Sequence, residues 1–355
     1  MANINDYLIW RGDLKIDNEH PFNEIDSMIL ARFSYLIFDR IQLKNNMKIE
    51  EISNQMSPIP NEDFNYNGDK QLISNLGKSE RFKDMIVTNF VQNADTESEK
   101  QFSAITIHIS YSEMYISYEG TDKTINGWKE DFNLSFMKNV PAQLEGLEYL
   151  KSVASEYSYK NIRIGGHSKG GNVAIYSAVS APEDIQNRII SVDNYDGPGF
   201  DENLVSEYKN RNIVNKITTY IPQDSIIGRI LYHAEKQLVV YSVEKGIYQH
   251  DIYSWQIIRN RPVVLDSTSN VSDKINKTVQ EWLKNTTADQ RKIFVDEIFD
   301  VLYMNSVTTT VDFKNTILRK VPQLIKAYRE VSDEDRKTIS EMVKIFVKTY
   351  ISTIN

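Results

Sequence analysis

The chain has 355 residues, with 41 basic and 49 acidic side chains, a formal net charge of −8 and no cysteine. The absence of cysteine excludes a disulfide framework, Cys-based zinc or iron–sulfur sites and a thiol nucleophile. The acidic balance argues against a general nucleic-acid binder, and the length suits one large domain with an appendage or two modest ones.

The first residues, Met1-Ala2-Asn3-Ile4-Asn5-Asp6, offer no basic n-region and no apolar core of a signal peptide. No run of about 18 apolar residues occurs. The expected location is therefore the cytoplasm. Residues 1–95 read as a helical and loop-rich segment packed on the core. Apolar residues Ile25, Met28, Ile29, Phe33, Leu36 and Ile37 recur at helical spacing over 22–38, and 53–70 reads as a loop. Residues 96–267 alternate strand-like runs (104–109, 114–118, 161–164, 189–195, 216–220, 238–243) with helical stretches at 142–155 and 171–178. Such alternation predicts an α/β fold with a mostly parallel sheet. Residues 268–355 read as a C-terminal helical subdomain. Thr287 and Gln290 form a capping-box pattern ahead of one helix, and Ser332 opens another. Residues 271–355 hold 14 basic and 12 acidic residues, a charge of +2 that leaves −10 on residues 1–270.

The chemistry-bearing stretch is Gly166-His167-Ser168-Lys169-Gly170, a G-x-S-x-G pentapeptide between an apolar strand and an Ala/Ile/Tyr helix. That is the setting of a nucleophile elbow, where a tight turn needs glycines two residues before and after the Ser. The alternative is a Gly-rich turn with an inert Ser. No phosphate-loop or dinucleotide pattern is present.

A Ser nucleophile needs a base and an orienting acid. There are five His. His167 lies inside the elbow, and His20 and His108 precede it. The α/β-hydrolase order of Ser, acid, His leaves His233 and His250. His250 follows a strand-like run and a turn at Lys245-Gly246, whereas His233 follows Ile230-Leu231-Tyr232 in a helical reading, so His250 is favoured. Asp196 and Asp224 both follow strands, and the residues alone leave them open. The oxyanion donors are expected from the N–H of Lys169 and from the loop Tyr118-Glu119-Gly120-Thr121-Asp122, which Trp128 and Asp131 follow.

Gly165 through Ala174 resembles the elbow of class 3 lipases, and the loop at 118–122 resembles their oxyanion block. The chain as a whole resembles a bacterial family of uncharacterised proteins related to those lipases. The matching blocks are 6–13, 22–26, 166–172, Tyr195-Asp196-Gly197-Pro198-Gly199-Phe200, 222–228 and 249–255. The resemblance implies an α/β-hydrolase fold, with Ser168 as nucleophile and His250 as base. It further implies Asp224 as the acid, with the N–H groups of Thr121 and Lys169 as oxyanion donors. Glu119 departs from the family's usual Arg. Lys169 departs from its usual Leu and is expected to point to solvent rather than to meet an anionic substrate group.

The expected activity is serine hydrolysis of carboxylic esters, of lipid acyl type, through an acyl-enzyme. The alternatives are acyl transfer, thioester or amide cleavage on the same residues, or a silent binding module. The expected partner is a small-molecule or lipid ester, with no nucleic acid, no metal and no organic cofactor. A membrane surface is not indicated.

Overall fold

The computed structural model describes residues 2–95, 100–121, 129, 133–134, 136–137, 139–304 and 331–354. Helices α1 (Ile4–Arg11) and α2 (Glu24–Phe33) each start with a capping box. At α2 the Asn23 side chain accepts from the N–H of Ile25 (2.9 Å), and Asp26 accepts in return from the N–H of Asn23 (2.9 Å). A short β1 (Met47–Lys48), α3 (Ile49–Met56) and α4 (Asp69–Lys78) follow. Then come β2 (Ile86–Asp95), β3 (Lys100–His108) and β4 (Glu113–Tyr118). The βα units are α5 (Pro141–Glu156), β5 (Asn161–His167), α6 (Lys169–Ser180), α7 (Glu183–Arg188), β6 (Ile189–Tyr195), α8 (Glu202–Tyr208), β7 (Ile217–Pro222) and β8 (Lys236–Val240). Two short strands, β9 (Ile257–Ile258) and β10 (Arg261–Pro262), pair with each other, and β11 (Val264–Leu265) returns to the main sheet. Helices α9 (Asn270–Lys284), α10 (Ala288–Met304) and α11 (Asp333–Ile354) end the chain.

The main sheet has the order β1-β2-β3-β4-β5-β6-β7-β8-β11. Its centre, β4 to β8, is parallel, as the βα alternation predicts, and the outer strands are antiparallel. This is the expected α/β-hydrolase architecture. The helical reading of residues 1–95 overlooks β2, whose polar and apolar residues mix around a register shift between Thr88 and Val91. The loop assigned to 53–70 also loses its first residues to α3.

Side chains alternate across the strands and divide the core into two layers. Met114, Ile116 and Tyr118 of β4 join Ile162, Ile164 and Val192 against α5 and α6. Tyr115 points to the opposite face, where α2 provides Ile25, Met28 and Ile29 and α4 provides Leu72. The N-terminal segment is therefore the cover of one sheet face. The C-terminal helices pack through Trp282, whose ring meets Phe294 and Phe346. They reach the core where Ser272 Oγ donates to the Ser225 carbonyl (2.6 Å) and Lys129 pairs with Asp296 (3.1 Å). The capping box at Thr287 and Gln290 forms as expected. No helix among the described residues is long and apolar enough to cross a membrane.

Two buried polar contacts tie the N-terminal cover down. Arg32 holds Asp69 through two donors (2.8 and 2.9 Å), and both side chains are buried. Removing one partner leaves an uncompensated charge in the interior. Asp69→Ala is therefore expected to lose about 3–5 kcal/mol of folding stability, whereas Asp69→Leu combined with Arg32→Met recovers most of it. Denaturant titration of both variants checks this.

Asp193 of β6 accepts from Ser27 Oγ of α2 (2.8 Å). Burial raises its carboxyl to about 6, and the Ser27 bond and the Arg163 charge oppose this only in part. The folded state thus binds this proton more tightly than the unfolded state. The stabilisation is complete below the ordinary value near 3.8 and is lost as pH rises through about 6. Asp193→Asn, which keeps the acceptor but not the charge, is expected to stabilise the fold at pH 8 and to have little effect at pH 4. Melting curves at the two pH values test it.

Candidate active site

The chain turns tightly at Ser168, between closely packed glycines. Strand β5 ends at His167 and α6 begins at Lys169, so Ser168 alone makes the turn, at φ 57° and ψ −133°. Its N–H donates to the Tyr195 carbonyl (2.9 Å), and its carbonyl accepts from the N–H of Gly171 (2.9 Å). A Cβ on Gly166 would lie 2.3 Å from the backbone of Gly170, and one on Gly170 would lie 2.2 Å from the Tyr118 carbonyl. Only glycines let α6 approach β4 and β5 this closely.

Strand β6 ends beside the elbow. The next residue, Asp196, also sits at positive φ (53°), and its N–H donates to the Tyr220 carbonyl (2.8 Å). This turn aims its carboxylate across the strand ends. Oδ2 lies 2.6 Å from His250 Nδ1. Oδ1 accepts from Ser225 Oγ (2.5 Å) and from the N–H of Gly228 (3.1 Å). Asp196 is buried, and the His250 side chain is partly exposed.

The carboxylate at His250 is thus Asp196, not the Asp224 that the resemblance implies. Asp224 does not meet His250 Nδ1; its carboxylate accepts from Gln249 Nε2 (3.0 Å) and the N–H of Gly246 (3.3 Å), and its own N–H donates to Gln249 Oε1 (2.8 Å). Gln249 is buried, and Trp255 Nε1 donates to its carbonyl (2.7 Å). Asp224 thus braces the turn Gly246–His250 from behind. His233 is not helical. It follows Leu231, at φ 66°, and pairs through Nδ1 with Glu235 (2.7 Å).

Lys169 is corrected as well. Its side chain is buried rather than exposed to solvent, and Nζ donates to the Gln101 carbonyl (3.0 Å) and to Gln101 Oε1 (3.1 Å). Its N–H is one of the four at the start of a helix that find no acceptor within that helix. Thr121 is buried beside Gly120, where a Cβ would come within 3.1 Å of the Ser168 Cβ and 2.5 Å of the His167 carbonyl. The loop at 118–121 therefore lies directly on the elbow. Trp128 and Asp131 lie outside the described residues.

Residues 76–300 match the family model described as Mbeg1-like. The chain belongs to the Mbeg1-like family. The Mbeg1-like region runs from the end of α4 into α10 and includes Ser168, Asp196 and His250, whereas α1 to α3 precede it. No curated protein matches the chain by sequence. Among solved structures, a fungal lipase–inhibitor complex is similar at 14% identity and a TM-score of 0.36, covering 46% of this chain and 68% of that one. The Lip2 lipase from Yarrowia lipolytica is similar at 13% identity and a TM-score of 0.33, covering 56% of this chain and 75% of its own. Likenesses this low carry no activity across to the Mbeg1-like chain.

Several residues that hold this Mbeg1-like site lie in the blocks 166–172 and 222–228, where no local pattern assigns them a role. Asn172 Nδ2, one turn into α6, donates to the carbonyls of Pro198 (3.0 Å) and Gly199 (2.9 Å), and Oδ1 accepts from Gln143 Nε2 (2.7 Å). It ties the Ser168 helix to the Asp196 loop. Ser225 and Gly228 fix the second oxygen of Asp196. The Gly-Gly-Asn and Pro-Gln-Asp-Ser strings were the available signal, but their partners are distant in sequence. Asn172→Leu leaves two buried carbonyls without donors and is expected to cost about 2 kcal/mol or more. Chemical denaturation measures the loss.

Proposed function

We propose that the chain is a serine hydrolase of carboxylic esters, with Ser168 as nucleophile, His250 as base and Asp196 as acid. The observation that carries the reading is the 2.6 Å contact of buried Asp196 with His250 Nδ1, at a strand end hydrogen-bonded to the strained Ser168 elbow. A carboxylate only accepts, so Nδ1 holds the proton and Nε2 keeps a basic lone pair.

Ser168 Oγ attacks the ester carbonyl while His250 Nε2 takes its proton. Asp196 stabilises the imidazolium, and the imidazolium then delivers the proton to the leaving alcohol. The N–H groups of Lys169, at the start of α6, and of Thr121 supply the oxyanion donors. Water, activated by the same imidazole, releases the acid. The buried Lys169 ammonium is engaged by Gln101, so this cation is not assigned to the substrate. The resemblance to class 3 lipases narrows the ester class to lipid-type acyl esters. Product analysis with competing alcohols separates hydrolysis from acyl transfer on the same residues.

The variants discriminate sharply. Ser168→Ala is expected to abolish labelling by a fluorophosphonate probe and turnover of short p-nitrophenyl esters. Asp196→Asn is expected to lower kcat by about 10⁴-fold, as loss of the tautomer-setting acid does elsewhere. Asp224→Asn, with no contact to the imidazole, should keep most of the rate. Unchanged labelling of the Ser168 variant, or a collapse at Asp224 rather than Asp196, would refute the assignment.

A further inference from the structure

The residue before the nucleophile is neither solvent-facing nor inert. His167 is buried, and its Nε2 lies 2.7 Å from the backbone carbonyl of His250. The two imidazole rings lie against each other at a tilt, with centroids 4.5 Å apart and planes at 36°. On its other side His167 Nδ1 is 3.2 Å from Tyr35 Oη, which also lies 3.0 Å from the His167 carbonyl. Tyr35 is itself fixed. Its ring meets Tyr66 edge-on at 5.9 Å and carries the Arg32 guanidinium 4.4 Å from its centroid. Arg32 is locked by Asp69, and Asp69 also accepts from Tyr253 Oη (2.7 Å), three residues past His250.

We propose that His167 is a positioning residue for His250, and that Tyr35 and the Arg32–Asp69 pair of the N-terminal segment hold it in that role. This rests on the reading of His250 as the base. A backbone carbonyl can only accept, so His167 Nε2 must carry the proton. The neutral ring then presents a lone pair at Nδ1 towards Tyr35 Oη, whose single proton is donated to the nearer His167 carbonyl. The His250 carbonyl thereby sets the tautomer, and Tyr35 fixes the backbone on the other side of the ring. Burial holds the protonation of His167 well below the usual imidazole range, and the neighbouring His250 and Arg32 charges act in the same direction. The titratable and charged groups that face it are Tyr35 and Arg32 on the N-terminal side and His250 on the other, and His250 in turn meets Asp196 and Asp251. A ring that stays neutral can donate to the His250 carbonyl throughout turnover and adds no second cation beneath the imidazolium. The N-terminal segment also grips the His250 loop twice, through His167 and through Tyr253.

The test compares His167→Phe, which keeps an aromatic ring against His250 but no donor, with His167→Gln, whose amide nitrogen can replace Nε2. Three readouts are taken: the rate of fluorophosphonate labelling, kcat and KM on a p-nitrophenyl ester, and the far-downfield proton resonance of the Asp196–His250 hydrogen bond. His167→Phe is expected to lower kcat and the labelling rate by about 10²-fold with KM little changed, the scale of a misplaced catalytic group. Its downfield resonance broadens or disappears. His167→Gln keeps the resonance and most of the rate. A His167→Phe protein with wild-type rate and resonance overturns the inference. If His167→Phe does not fold, Tyr35→Phe decides: it is expected to slow labelling in the same direction to a smaller extent, and an unchanged rate and resonance overturn the inference. If the wild-type protein is not labelled, the hydrolase reading fails on its own, and the resonance comparison still decides the positioning role.

Discussion

At Ser168 the backbone adopts φ 57° and ψ −133°, a region that residues with a Cβ seldom occupy. Such a conformation costs of order 1–3 kcal/mol and persists only where the surroundings over-determine it. Here they do. The N–H of Ser168 is tied to Tyr195, Gly171 donates to its carbonyl, and backbone packs against backbone at Gly166 and Gly170. The strain therefore has a structural consequence. It turns the chain from β5 into α6 within one residue and leaves the Ser side chain at the strand ends, where Asp196 and His250 also arrive.

Asp196 repeats the device on the next strand. It is a second non-glycine at positive φ, and its carboxylate is held at both oxygens, by His250 on one and by Ser225 and Gly228 on the other. Asn172 links the two strained turns, since it lies on the helix that Ser168 starts and holds the carbonyls that follow Asp196. The turns at Ser168 and Asp196 are thus one hydrogen-bonded unit. The His250 loop is attached separately, by Asp224 and Gln249 on the core side and by the N-terminal segment on the other.

The legibility of these parts follows from how local each signal is. Ser168 and the βα alternation can be read directly because the elbow's glycines, strand and helix are contiguous. His250 is reachable because few histidines exist and chain order removes most of them. The helix caps at Thr287 and Ser332 are four-residue patterns, and both form. Strand β2 escapes notice because it mixes polar residues around a register shift. The choice between Asp196 and Asp224 is of another kind. Both follow neighbouring parallel strands, so both end at the same rim of the sheet. What separates them is the direction of one turn, φ 53° at Asp196, and donors that come from 29 and 32 residues further along the chain. The resemblance to class 3 lipases implies Asp224, whereas the structure sets Asp196 against His250, and no local pattern distinguishes the two.

Lys169 shows the same principle in reverse. A lysine after the nucleophile in sequence suggests a solvent-facing side chain or a cation for an anionic substrate. The first turn of α6, however, lies against the end of β4, where Gly170 touches the Tyr118 carbonyl. A side chain leaving the helix there is directed under the sheet edge, towards Gln101 at the start of β3. Burying an ammonium is tolerated only where oxygens replace its water shell. The Gln101 carbonyl and amide oxygens do so. The cation therefore becomes a strut between the outer antiparallel strands and the elbow. The close approach that the glycines permit is thus also what buries Lys169 against Gln101.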